Sequence, residues 1–235
     1  MNPVARHARE RACIIVYVFL MISDWASERN RMVERQIWAR GIRNERVLAA
    51  MREIPREQFV PIEWREHSYD DEPLPIGYGQ TISQPYMTAL MVQELDLKGT
   101  ETVLDIGAGS GYHAAVLSAL AGKVVSIEII PELARVAEEN LGRIGRLDSV
   151  LVVCGDGSSG CSPLAPYDAI SVAAAAPDIP AQLLDQLQDP GRMVIPVGSI
   201  DDQELRVITR KAGKVSTRVA TLCRFVPLRG DEGWR

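Results

Sequence analysis

A chain of 235 residues, 46% hydrophobic and 24% charged, has the length and ordinary composition of a globular domain with a large core. Its net charge of −5 argues against the basic face that general nucleic-acid binding requires. Cys13, Cys154, Cys161 and Cys223 form no C-x-x-C pair and the three histidines are dispersed, so no metal is expected and the thiols are read as reduced.

The N-terminus stands apart. Arg6, His7, Arg9 and Arg11 precede an apolar run from Ala12 to Ile22. That run is shorter than the roughly 20 residues that span a bilayer, and it matches a signal-peptide core better. Asp24 and Trp25 ahead of Ala26 do not give a small-x-small cleavage pattern, and a start at Met21 is the competing reading. Residues 1–24 are therefore set apart as a non-native or signal-like extension. The remaining 25–235 are expected to be one cytoplasmic domain, monomeric and without a stable membrane partner, although the extension leaves export or anchoring open.

Met32, Val33, Ile37 and Trp38 recur at helical spacing and end at Gly41. Asn44 is a suitable cap for a second helix with Val47, Leu48 and Met51 on its apolar face, stopped by Pro55. From Phe59 to Tyr86 the prolines and glycines leave no periodic pattern, which predicts a long loop, and its aromatic residues favour an ordered, functional one. Regular alternation follows. Helices are predicted at 86–97, 111–121, from Pro131 and at 180–188, and strands at 102–106, 124–128, 150–154, 168–173 and 192–197. Leu205–Thr209 and Val215–Phe225 flank a Lys-Ala-Gly-Lys turn and read as a hairpin. The fold class is thus α/β: a doubly wound, mostly parallel sheet with antiparallel C-terminal strands and an N-terminal helical and loop extension.

The most informative run is Val103-Leu104-Asp105-Ile106-Gly107-Ala108-Gly109-Ser110-Gly111. A buried strand, a glycine turn and a helix start remove side-chain bulk where a ligand approaches the backbone. Tyr112 occupies the place of the third glycine of a dinucleotide fingerprint, and an acid two residues before Gly107 suits a cationic ligand group better than a pyrophosphate. S-adenosylmethionine fits this pattern before NAD does, within a Rossmann-like class I methyltransferase core. Three acids fall at consecutive strand ends, where ligands bind in such sheets. Asp105 can face the methionine ammonium, Glu128 the ribose hydroxyls, and Asp156, within Gly155-Asp156-Gly157, the adenine amino group. Hydrogen bonds to a charged group contribute about 1.5–3 kcal/mol each, so loss of Glu128 is worth one to two orders of magnitude in affinity. Glu128 alone could equally serve an NAD ribose, and Asp156 between glycines could be a turn residue. Expected cofactor contacts are Asp105, Gly107, Gly109, Ser110, Gly111, Glu128, Asp156 and Gly157.

The segment Leu74-Pro75-Ile76-Gly77-Tyr78-Gly79-Gln80-Thr81-Ile82-Ser83-Gln84-Pro85-Tyr86-Met87 resembles the signature of protein-L-isoaspartate O-methyltransferases. The resemblance runs from about Arg31 to Gly230. It includes Arg35-Gln36-Ile37, Pro55-Arg56-Glu57-Gln58-Phe59-Val60-Pro61, the glycine run, Gly155-Asp156-Gly157, Ala165-Pro166-Tyr167-Asp168-Ala169-Ile170 and Arg224-Phe225-Val226-Pro227-Leu228. It implies methylation of the free α-carboxylate of isoaspartyl residues in damaged proteins and peptides. The ester then collapses to a succinimide that reopens partly to normal aspartate. Ser83 matches the family's active-site serine, and Thr81 lies in the same loop. Residues 25–98 would carry the acceptor side and 99–235 the cofactor-binding core.

The chemistry agrees with that implication. A carboxylate with a reference pKa of about 3.9 is already ionised at pH 7 and needs no base to attack a sulfonium methyl. Holding oxygen, methyl and sulfur in line can supply about 7–11 kcal/mol. Hydroxyls such as Ser83 and Thr81 would orient the nucleophile without quenching its charge, whereas Ser83 could also simply cap the following helix. His113, Tyr78, Tyr86 and Arg224 are lesser candidates near the two sites. Cys161, where many members have an aromatic residue, is expected to loosen the adenine-side loop. Methylation of another small carboxylate or hydroxyl, NAD(P)-dependent redox chemistry and a non-enzymatic binding role are the competing readings.

Overall fold

The structure is a computed structural model that describes residues 25–234. The extension at 1–24, with Cys13 and the signal-like run, lies outside the described residues. No helix among the described residues is long and apolar enough to cross a membrane.

Helix α1 (25–32) runs into a π-helical turn, Val33–Ile37, and a 3-10 turn, Trp38–Arg40, before stopping at Gly41 with φ +100°. Met32, Val33 and Ile37 are buried, but Trp38 is exposed and Arg43 stacks on its ring. The wider π turn takes Trp38 off the stripe that a 3.6-residue period would give it. Asn44 caps α2 (Glu45–Glu53) by accepting from the amides of Arg46 and Val47. Ile54, ahead of Pro55, is extended and ends that helix.

Within the segment expected to be loop, residues 59–86, there is a 3-10 helix, Ile62–His67, and an antiparallel hairpin, β1 (Leu74–Gly77) and β2 (Gln80–Ile82). Its strands are too short to show a period of two. Its turn places Gly77, Tyr78 and Gly79 all at positive φ, so the sequence shows only breakers there. Tyr78 is exposed at the tip and contributes nothing to the cavities described below.

Then come α3 (Pro85–Leu95), β3 (Thr102–Ile106), α4 (Tyr112–Ser118), β4 (Lys123–Glu128), α5 (Pro131–Arg143), β5 (Val150–Cys154), β6 (Tyr167–Val172), α6 (Ala181–Gln186), β7 (Leu187–Gly198), β8 (Gln203–Lys211) and β9 (Lys214–Cys223). The helices predicted at 111–121 and 180–188 are shorter than expected and β7 begins earlier, but the order of elements is the one the alternation predicts. The sheet order is β5-β4-β3-β6-β7-β8-β9; the first four pairings are parallel and the β8 and β9 pairings antiparallel.

Parallel strands are buried on both faces, and their side chains divide the core in two. Val103, Val124 and Ala169 point to the face covered by α1 to α5, whereas Leu104, Ile106, Val125, Ile170 and Val172 pack with Leu183 of α6 on the other. Strand order reverses beside β3, and that geometry opens a crevice at the carboxyl ends of the strands.

Candidate active site

Successive strand ends meet in a cleft, open to solvent, of about 580 Å³. Gly107 follows β3, Glu128 ends β4, Gly157 follows β5, and Ala173 and Ala174 follow β6. Gln80 and Thr81 of β2 close one side, and Val226, Pro227, Leu228 and Arg229, beyond β9, form the far wall.

The glycine turn determines what this cleft can bind. Gly107 and Gly109 adopt positive φ, which the reversal after β3 requires. The amides of Gly107 and Ala108 both donate to the Ile127 carbonyl, at 2.8 and 3.1 Å. The Gly109 amide donates to Glu128 Oε2 at 2.8 Å, and the Ile130 amide to Glu128 Oε1 at 3.0 Å. A pyrophosphate would need free amides at such a turn. Here those amides are bonded, and the group presented to the cleft is a buried carboxylate, 5% exposed, with remaining lone pairs for hydroxyl donors.

The other predicted cofactor residues are placed less directly. Asp105 lies beneath the cleft rather than in its wall. It is fully buried, accepts from Ser126 Oγ at 2.7 Å, and keeps Oδ1 without a partner among the described residues. Burial pushes its carboxyl up to about 7, the Ser126 bond opposes this, and Glu128 adds to it. Ser110 and His113 line a smaller hollow shared with Thr81, Ser83 and Thr88. His113 Nε2 pairs with Ser171 Oγ at 2.9 Å, and burial lowers its pKa to about 4, so it is neutral at pH 7. Gly111 is a packing position, since a Cβ there would sit 3.1 Å from the Ala137 carbonyl oxygen of α5.

Asp156 departs furthest from expectation. Its Oδ1 accepts from the Ser158 amide and hydroxyl, and its Oδ2 from the Asp231 amide at 2.8 Å. The carboxylate caps a turn and holds the C-terminal segment, and Gly157 alone of that triplet reaches the cleft. The neighbouring loop is not loosened at Cys161. Gln186 accepts from the Cys161 amide and donates to the Ser159 carbonyl, both at 2.8 Å.

Thr81 and Ala173 also border a second cavity of about 890 Å³, lined by Ser83, Tyr86, Arg40, Arg224 and Phe225. Ser83 does not cap α3; its N-cap is Gln84, without a side-chain bond. Arg40 stacks 3.6 Å above the Tyr86 ring and pairs with Asp71, and Arg224 pairs with Asp201 at 3.4 Å. Two cations thus flank a cavity that contains hydroxyls and no lysine. Sequence reasoning missed Arg40, which reads as the polar end of a helix, and the wall at 226–229. The block Arg224-Phe225-Val226-Pro227-Leu228 was the available signal for that wall. Among the described residues no cluster could hold a metal ion.

Residues 27–233 match the family model for protein-L-isoaspartate(D-aspartate) O-methyltransferase. A protein-L-isoaspartate O-methyltransferase of Methanoculleus marisnigri is 53% identical over 209 residues, covering 88% of this chain and 94% of that protein. One from Hyperthermus butylicus is 50% identical over 224 residues, with 90% and 93% covered. Among solved structures, a protein-L-isoaspartate O-methyltransferase superposes with a TM-score of 0.77 at 28% identity, over 88% of this chain and 67% of that one. A Plasmodium falciparum chain assigned to the same family, in complex with S-adenosyl-L-homocysteine, gives 0.76 at 26% identity, over 86% and 98%.

Proposed function

Because the chain belongs to the protein-L-isoaspartate(D-aspartate) O-methyltransferase family, we propose that it transfers a methyl group from S-adenosylmethionine to the free α-carboxylate of L-isoaspartyl residues in damaged proteins and peptides. The observation that carries the cofactor side is the Glu128 carboxylate, held at the glycine turn by two backbone amides. It suits vicinal ribose hydroxyls and repels a diphosphate. The bound donor would supply an electrophilic methyl on a sulfonium.

Glu128 would hold the ribose, and Gly107 and Gly109 would let the ligand lie against bare backbone. The Gly157 backbone would border its adenine end, and Asp105 would act on the methionine ammonium through its field from below. Thr81, shared by both cavities, and Ser83 would orient the acceptor carboxylate by hydrogen bonds. Arg40 and Arg224 would draw in an anionic group at the cavity edge. No general base is required, and His113, neutral and bonded to Ser171, supplies none. Methylation converts the carboxylate into a methyl ester; the adjacent backbone amide nitrogen then attacks the ester carbonyl and the methoxy group leaves as methanol with the amide proton, closing the succinimide. In this reading residues 25–98 carry the acceptor side and 99–235 the cofactor side of one monomeric domain. We place it in the cytoplasm, where a reducing medium leaves Cys154, Cys161 and Cys223 as free thiols.

The test is transfer of labelled methyl from S-adenosylmethionine to a matched peptide pair, one with isoaspartate and one with aspartate. Base-labile label on the isoaspartyl peptide alone is the expected result. Label on neither peptide, with cofactor still bound, would replace the acceptor by another small carboxylate or a hydroxyl.

A further inference from the structure

Arg40 borders the second cavity in a restrained state. Its guanidinium rests 3.6 Å from the centre of the Tyr86 ring, and its Nη1 donates to Asp71 Oδ2. A ring and a carboxylate together fix a side chain that either alone would leave free to swing. Asp71 is tied in further. Its carbonyl accepts from Gln84 Nε2 at 2.7 Å, one residue beyond Ser83. Its Oδ1 is buried and has no partner among the described residues. Asp71 also acts on Arg56, which is fully buried and donates from Nε to the Ser68 carbonyl at 2.7 Å. Both Nη atoms of Arg56 lack a partner among the described residues. Burial lowers the Arg56 pKa to about 10, and the charge of Asp71 is among the interactions that oppose this. Arg224, also at the cavity, pairs with Asp201 at 3.4 Å, but both side chains are largely exposed and water screens that pair.

We propose that Asp71 is a positioning residue for the acceptor: it pins Arg40 on Tyr86 at the cavity edge and offsets its charge, so that Arg40 steers an anion inward without pairing with the carboxylate that is methylated. This rests on the reading of the second cavity as the acceptor site. The physical reason is the fate of charge in the reaction. As the carboxylate oxygen bonds to the methyl carbon, the carbon–sulfur bond breaks with its electron pair left on sulfur. The negative charge of the acceptor and the positive charge of the donor vanish together. A free guanidinium in the cavity would hold the ionised acceptor more tightly than the transition state, and would lower KM and kcat together. A guanidinium already matched by Asp71 exerts little of that bias, and the uncharged hydroxyls of Thr81 and Ser83 are left to orient the nucleophile. An Asp71 that served only the buried Arg56 would change stability and leave the kinetics of charged acceptors as they were.

The experiment compares wild type, Asp71→Asn, Arg40→Met and the double variant. Each is titrated by calorimetry, with S-adenosylhomocysteine present, against an isoaspartyl peptide and its α-carboxamide counterpart, which lacks only the negative charge. The double variant gives the acid-to-amide affinity ratio without either charge, and wild type should match it within about twofold. Asp71→Asn should favour the acid about fivefold more than the double variant, and Arg40→Met about fivefold less, the weight of a partly exposed ion pair. In steady state Asp71→Asn should lower both KM and kcat for the isoaspartyl peptide, and adding Arg40→Met should restore kcat. Equal ratios in wild type and Asp71→Asn would overturn the proposal. Phenylglyoxal labelling of Arg40, mapped by mass spectrometry, should run about fivefold faster in Asp71→Asn, and an unchanged rate would also overturn it. If Asp71→Asn folds poorly for want of a charge near Arg56, Arg40→Met decides by the sign of its salt dependence. Added salt should raise its acid-to-amide ratio more than that of wild type, by screening an unpaired Asp71; no such rise would overturn the proposal. If wild type bound neither peptide, the acceptor reading would fail, while the labelling rates would still decide whether Asp71 holds Arg40.

Discussion

Replacing Asp105 by Asn tests the electrostatics under the glycine turn. Asp105 lies in β3 between Ser126 of β4 and Ser171 of β6, with no exposed surface and one carboxylate oxygen without a partner among the described residues. Its folded-state pKa of about 7 stands above the 3.8 of a solvated aspartate. The folded protein therefore binds more protons than the unfolded chain between those values, and its stability must fall as pH rises through that window. The contribution is complete below about pH 4 and lost by about pH 7. At about 1.4 kcal/mol for each tenfold change in proton affinity, the full effect is about 4 kcal/mol, reduced by any relaxation around the site. Asn keeps the shape and an acceptor for Ser126 but cannot ionise. Urea unfolding of ligand-free protein at half-unit steps from pH 4 to 8 should show wild type losing several kcal/mol relative to Asp105→Asn, with the difference flat above pH 7.5. Parallel curves would show that Asp105 is solvated or paired, and would remove it as a buried charge beneath the cleft.

Other perturbations read the cleft itself. Glu128→Ala removes the acceptor of the Gly109 and Ile130 amides together with the proposed ribose contact, and should raise the KM for S-adenosylmethionine at least tenfold, about 1.4 kcal/mol; an unchanged KM would take Glu128 out of the site. Ser83→Ala should lower kcat while donor affinity, measured by calorimetry, stays near wild type; collapse of that affinity would make Ser83 a donor-side residue. In Gly157→Ala the new Cβ would sit 2.5 Å from Ile106 Cγ2, a side chain fixed in the sheet, so the variant should lose about 1–3 kcal/mol in denaturant unfolding and bind donor weakly. A wild-type unfolding midpoint would mean that β3 yields there at no cost.

Much of the architecture was legible in the chain. Val103 to Ile106, Val124 to Glu128 and Val150 to Cys154 are apolar runs bounded by turn residues, and strands buried on both faces must read that way. Asn44 and Pro131 mark helix starts because they answer needs of the backbone within a few residues. The order of glycines and acids at the strand ends likewise pointed to a cationic, hydroxyl-bearing ligand, since Glu128 and the glycine turn lie on consecutive strands. What the sequence could not decide was which atom each polar group meets. Nothing near Asp156 in the sequence announces that its carboxylate meets the Asp231 amide, 75 residues away along the chain, and only the return of the segment after β9 brings the two together. Asp105 acquires its raised pKa from the layers packed above and below β3, and Arg40 borders the second cavity because the 3-10 turn sets it over Tyr86. Local backbone requirements are written over short spans, whereas desolvation and hydrogen-bond partnership depend on segments that only the folded chain brings together.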